Sequence, residues 1–225
     1  MNQSTGRKIL VGTVIGLILG LPVLFGILLK KSEFGYNKLP IISIDEMGEQ
    51  VPYYIDSFSL TDQNGETFTR EDIGDKIFIA NFFFANCPEV CPTINGHLKI
   101  ASQKLETSTD IMFLSHSVDP ENDTVAALRA YADKFEVNDN QWKFLTGSKK
   151  TIYDLAINDY KAVIQEVPDT TEFIHSEMVM LVDKDFHVRG VYDGLDITAI
   201  LNLVEDARFL LKLYKDEEAE ENEQD

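Results

Sequence analysis

Cysteine is scarce in this chain: Cys87 and Cys91 are the only two among 225 residues. Whatever sulfur chemistry the protein performs is therefore confined to one place. Positive charge is also short, with 20 Lys and Arg against 38 Asp and Glu, a formal net charge of −18. Nucleic-acid phosphates would be repelled, which argues against a nucleic-acid partner. There is no internal repeat and no long Gly/Ser linker, and the chain beyond residue 30 has the length of a single domain.

Long apolar runs are limited to one. Residues 9–29, ILVGTVIGLILGLPVLFGILL, carry no charge and are bounded by Arg7-Lys8 and Lys30-Lys31. As a helix this run reaches about 30 Å, the thickness of a bilayer core. A secretory signal peptide has a shorter apolar region, about 7 to 15 residues, and a small-x-small cleavage site. Neither is evident, so the run is expected to remain as a single-span anchor. The short stub before it and the long acidic body after it predict the stub inside and the body exported. The stub is too short for a mitochondrial transit peptide, and a bacterial inner-membrane protein facing the periplasm is the simplest expectation. The chain divides into a stub (1–8), an anchor (9–29), a linker (30–50), a folded domain (51–214) and a tail (215–225). Residues 216–225 contain seven acidic residues and no base; they are expected to be disordered.

Within the domain, residues 56–72 alternate around Asn64-Gly65, a hairpin signal. Ile77 to Phe84 form a continuous apolar run suited to a strand buried on both faces. Ile94, Leu98, Ala101 and Leu105 then recur at helical spacing, so the cysteines lie where a strand turns into a helix. A strand is expected in IMFLSHSVD. A helix with Val125, Leu128, Ala132 and Phe135 on one face comes next, then a strand in WKFLTG. Ser148 caps a helix to about Asn158. Two strands flank Asp183-Lys184-Asp185, and an amphipathic helix begins near Ile197. A hairpin, then β-α-β-α-β-α, then β-β-α predicts an α/β fold with a central sheet flanked by helices. Thioredoxin-like folds carry their chemistry at the end of the first long strand, where the cysteines fall.

The pair admits a structural disulfide, a redox dithiol, a metal site or two unrelated thiols. Three residues separate the cysteines, against two in a thioredoxin motif. On a helical first turn i and i+4 face the same way, so both sulfurs can address one object. Unpaired N–H groups at a helix start favour thiolates, and thiolates select soft metals such as Cu(I). A disulfide alone would close a very short loop and gain little entropy. A structural zinc site wants four closed ligands. Two sulfurs leave copper under-coordinated, which turns attention to the four histidines. His97 lies in the helix after the cysteines, His116 is within a strand and reads as a buried histidine, and His187 follows a polar turn and reads as a surface residue. His175 lies in a loop after the irregular segment QEVPDTTEF. Glu89 is expected to face solvent, Phe82, Phe83 and Phe84 to form core and pocket wall, and Pro88 and Pro92 to restrict the loop.

The strings NFFFANCPEVCPT, SVDPENDT, WKFLTG, IHSEMVMLVD and VYDG, in this order over nearly the whole domain, resemble the Sco/SenC family of membrane-anchored, thioredoxin-like copper proteins. The resemblance implies that Cys87, Cys91 and His175 bind copper, with Asp119 near the metal pocket. It also implies that the protein helps to assemble the dinuclear copper centre of cytochrome c oxidase, so that the oxidase copper-binding subunit is the partner. Two positions depart from the family pattern. Ile174 stands where relatives usually carry aspartate, and His116 where they carry an apolar or small residue, so that His116 is either a buried histidine or an extra group near the site. The competing function is a thiol–disulfide oxidoreductase in which Cys87 and Cys91 are the catalytic redox pair and reduce the oxidase's copper-ligand cysteines. Metal coordination needs His175, and dithiol exchange does not. A peroxiredoxin-like activity is weaker, because no Thr stands three residues before either cysteine.

Overall fold

The computed structural model describes residues 54–162, 164–166, 173–175 and 177–222, with 164–166 and 173–175 described through their backbone. The predicted anchor lies outside these residues. No helix among them is long and apolar enough to cross a membrane.

The first strands among the described residues form a hairpin, β1 (Ser59–Asp62) and β2 (Thr67–Thr69), paired antiparallel. Gly65 sits in its turn at φ +79, a left-handed conformation that glycine adopts without steric cost. The Asp62 carboxylate closes that turn by accepting the Asn64 and Glu66 N–H groups at 2.8 and 3.0 Å. Three parallel strands occupy the centre of the sheet: β3 (Ile77–Phe83), β4 (Ile111–Ser117) and β5 (Trp142–Thr146). Helix α1 (Val90–Lys104) connects the first two and α2 (Val125–Lys134) the second two. Antiparallel β8 (Met178–Val182) pairs with β3, and β9 (Val188–Asp193) with β8. The mixed sheet runs β2-β1-β5-β4-β3-β8-β9.

All seven residues of β3 are buried. Alternation sends Phe83 toward Tyr131 and Phe144, at ring separations of 5.0 and 5.2 Å, and Phe82 the other way, toward Tyr160 at 5.4 Å. Each such phenylalanine contributes about 1.5 to 3 kcal/mol by burial. The central position of β3 fixes the point from which the cysteine loop departs.

Three boundaries differ from the sequence expectation. Helix α3 (Lys149–Asp154), capped by Ser148 as expected, widens into a π-helical turn over Leu155–Asp159. The segment read as irregular contains a small antiparallel ladder, β6 (Ile164–Glu166) with β7 (Phe173–His175), so His175 stands on a strand, opposite Ile164. Helix α4 (Ile197–Asn222) continues past Tyr214 into the acidic segment expected to be disordered. Glu, Ala and Lys there have good helix propensity, which extends the helix once α4 is nucleated by packing.

Candidate metal centre

Beyond Phe83 the chain turns sharply. The Cys87 N–H donates to the Phe84 carbonyl at 3.2 Å, and α1 begins three residues later with Glu89 as its N-cap. Glu89 makes no side-chain cap bond and is solvent-exposed, as expected. The Cys87 sulfur takes that place instead: it accepts the Cys91 N–H at 3.2 Å, satisfying one of the helix's unpaired donors. Cys87 thus stands in the loop ahead of α1, not on its first turn as the spacing of four predicts, and the N–H of Cys91 on that turn brings the two cysteines together. Neither is in a disulfide, and both are buried, Cys87 at 8 % exposure and Cys91 at 1 %. Burial pushes the Cys91 thiol well above its ordinary range. A hydrogen bond with the Phe84 backbone opposes this, and the nearby Cys87 sulfur and Asp123 carboxylate reinforce it.

Asp123, which sequence reasoning passed over, anchors the loop. Its carboxylate accepts the Ala85 N–H at 3.1 and 3.2 Å and the Ser117 hydroxyl at 2.5 Å, joining the cysteine loop to the end of β4. Burial raises its affinity for a proton, and these two donors hold it down in part. Asp119, the residue expected near the pocket, is buried two residues beyond β4. Its carboxylate accepts the Asn122 amide at 2.9 and 3.0 Å, and its N–H donates to Ser117 Oγ at 3.1 Å. It therefore shapes the turn that presents Asp123. The SVDPEND spacing is the signal that could have found Asp123: a second aspartate follows Asp119 by four within one tight turn.

Beneath the cysteines runs a buried hydrogen-bonded chain. Trp142 Nε1 donates to Ser115 Oγ (2.9 Å), Ser115 to Asn81 Oδ1 (2.6 Å), Asn81 to Asn95 Oδ1 (3.1 Å) and Asn95 to the Tyr131 hydroxyl (3.1 Å). It ties β5, β4, β3, α1 and α2 together and fixes the floor of the site. Burial pushes the Tyr131 phenol up, and both cysteines add to that effect. Sequence patterning treats Tyr131 as an ordinary core position.

Of the predicted metal ligands, the structure brings Cys87 and Cys91 together and places His175 by its backbone on β7. His116 is fully buried, as expected, and His187 is half-buried beside Asp183 where a surface residue was expected. Asp183, Asp185 and His187 cluster, but Asp183 is engaged by the Asp185 and His187 N–H groups and by Arg189. They hold the β8–β9 turn.

The sequence profile of the SCO1/SenC family matches residues 47–208, well over half of the chain and all of the elements that build this site. The chain belongs to the SCO1/SenC family. A SCO1 protein homolog of Bacillus subtilis is 28 % identical over 165 residues, covering 72 % of this chain and 86 % of its own length. The solved structure of BsSco is 29 % identical with a TM-score of 0.65, covering 73 % of this chain and 97 % of that one. BsSco is a member of the Sco family of cytochrome c oxidase assembly proteins and is described as having a disulfide switch. Arabidopsis thaliana ScoI, solved with copper bound, is 27 % identical with a TM-score of 0.59, covering 68 % of this chain and 97 % of that one. The SCO1/SenC chain described here thus has the thioredoxin-like α/β fold with a mixed sheet.

Proposed function

We propose that this SCO1/SenC protein is a copper-delivery factor, held in a bacterial cytoplasmic membrane by residues 9–29, that carries copper on Cys87, Cys91 and His175. Its acceptor in this reading is the copper-binding subunit of cytochrome c oxidase, whose dinuclear centre it helps to assemble. The observation that carries the reading is the pair of cysteines outside any disulfide, Cys87 in the loop before α1 and Cys91 on its first turn, with the Cys91 N–H on the Cys87 sulfur. Two soft donors suit copper, and one imidazole completes a three-ligand set that leaves room for an acceptor's ligand to enter during transfer. Copper is cargo, so no covalent turnover is required. Arabidopsis thaliana ScoI with copper bound supports the metal, and the role of BsSco's family in oxidase assembly supports the acceptor.

A second reading has a specific observation behind it. BsSco is described with a disulfide switch, and the contact between Cys87 and Cys91 suits the same chemistry here. In that reading the dithiol reduces the oxidase's copper-ligand cysteines and is itself oxidised to the Cys87–Cys91 disulfide, two electrons and two protons passing to the partner disulfide.

The reading is tested by titrating the reduced full chain in detergent with Cu(II). An intense thiolate-to-copper absorption is expected. Prior oxidation to the disulfide should abolish it until reductant is added, because metal binding needs the deprotonated thiols. Equal copper uptake by the oxidised protein would refute thiolate coordination.

A further inference from the structure

The cysteine helix and the chain just beyond His175 are joined by two hydrogen bonds in series. His97, half-buried on α1 six residues after Cys91, lies 2.9 Å through Nδ1 from the Gly194 carbonyl. A carbonyl only accepts, so Nδ1 carries the proton and donates. The Gly194 N–H in turn donates to the Glu177 carbonyl at 2.8 Å, adding one contact beyond the Met178–Asp193 pair at the end of the β8–β9 ladder. Glu177 is two residues from His175. Two residues of chain span at most about 7 Å, so a fixed Glu177 keeps the His175 backbone within that radius.

Gly194 is wedged at this junction. A Cβ there would stand 2.7 Å from the Glu177 carbonyl oxygen and 3.0 Å from both Cγ atoms of Ile94, three residues along α1 from Cys91. Only a residue without a side chain lets the loop after β9 touch the cysteine helix and the Glu177 backbone at once. One imidazole, one glycine and two hydrogen bonds thus tie the helix that carries Cys91 to the strand start that follows His175, in addition to the pairing of β8 with β3.

We propose that His97 and Gly194 are positioning residues of the metal site, which hold the segment following His175 at the spacing from α1 that three-ligand coordination requires. This inference rests on the reading of His175 as a copper ligand. Partners that orient metal ligands are typically worth about 10- to 100-fold in metal affinity.

The test compares Cu(II) spectra and affinities of the reduced full chain in detergent for the wild type, His175→Ala, His97→Leu, His97→Asn and Gly194→Ala. Nitrogen hyperfine structure in the electron paramagnetic resonance spectrum reports the imidazole, and thiol titration reports the cysteines. His97→Leu should weaken Cu(II) binding about tenfold or more and shift the spectrum toward that of His175→Ala, while disulfide formation is unchanged. Asparagine, which can place an N–H donor near the position of Nδ1, should restore the wild-type spectrum. Gly194→Ala should reproduce the leucine variant's shift. A His97→Leu spectrum and affinity equal to the wild type would overturn the inference. So would an asparagine variant as impaired as the leucine one, since the imidazole itself would then be needed. If His175→Ala leaves the wild-type spectrum unchanged, the three-ligand reading fails first and the inference falls with it.

Discussion

His116 shows what one unusual side chain does in this core. Its ring lies 5.3 Å from Phe82, 5.4 Å from Tyr160 and 6.3 Å from Phe58, fully buried, and neither ring nitrogen has a hydrogen-bond partner among the described residues. Burial lowers its pKa from 6.5 to about 4, although the Asn81 and Leu114 backbones favour the charged form somewhat. Between those two values the unfolded chain holds a proton that the folded one refuses. His116 therefore leaves stability intact above about pH 6.5 and lowers it on acidification toward pH 4, by up to about 1.4 kcal/mol per pH unit. His116→Phe, which keeps a ring and removes the unpaired nitrogens, should stabilise the protein by about 1 to 3 kcal/mol at pH 7. In urea denaturation the gain should widen at pH 5, and an equal loss of stability by both proteins between these pH values would contradict the account. A strand histidine amid aromatics was legible in the sequence as a buried residue. The role of Tyr131 was not, because it depends on Asn95 and the cysteines, which are distant in the chain; for Asp123 the SVDPEND turn was legible but its bond to Ala85 was not.

Elements whose signals are local were read correctly from the sequence. The Asn64-Gly65 hairpin, the apolar run of β3 and the cap at Ser148 each follow from a few adjacent residues. Thr124 Oγ1 accepts the Ala127 N–H at 3.3 Å at the start of α2, whose Leu128, Tyr131 and Ala132 are buried. Thr124→Ala should cost about 1 kcal/mol in denaturant unfolding, whereas Thr124→Ser should cost little. Equal losses for both would mean that the methyl group, not the cap, matters. The β6–β7 ladder was missed because its strands are three residues each and the intervening polar stretch contains a proline. Nor does an i, i+3, i+4 pattern distinguish an α-helical from a π-helical turn over Leu155–Asp159, since both bury Leu155 and Ala156 on the same side. The extension of α4 escaped because a solvated acidic run looks alike in sequence whether it is helical or disordered.

At the scale of the molecule, the proposal of an exported copper carrier rests on an acidic domain and an expected anchor. The uncharged run of residues 9–29 predicts that protease added to intact spheroplasts digests the domain, and its survival would place it in the cytoplasm. The central claim is that copper is carried on Cys87, Cys91 and His175 and that carriage, not dithiol exchange alone, is what the cell requires. The measurement that tests it most directly is cytochrome c oxidase activity and copper content in cells carrying His175→Ala, alongside copper binding and disulfide exchange by the same purified variant. The account predicts lost stable copper binding and lowered oxidase copper, with the Cys87–Cys91 disulfide still forming and breaking. Full oxidase activity in those cells, with copper binding lost in the purified protein, would contradict it and make the protein a dithiol reductant.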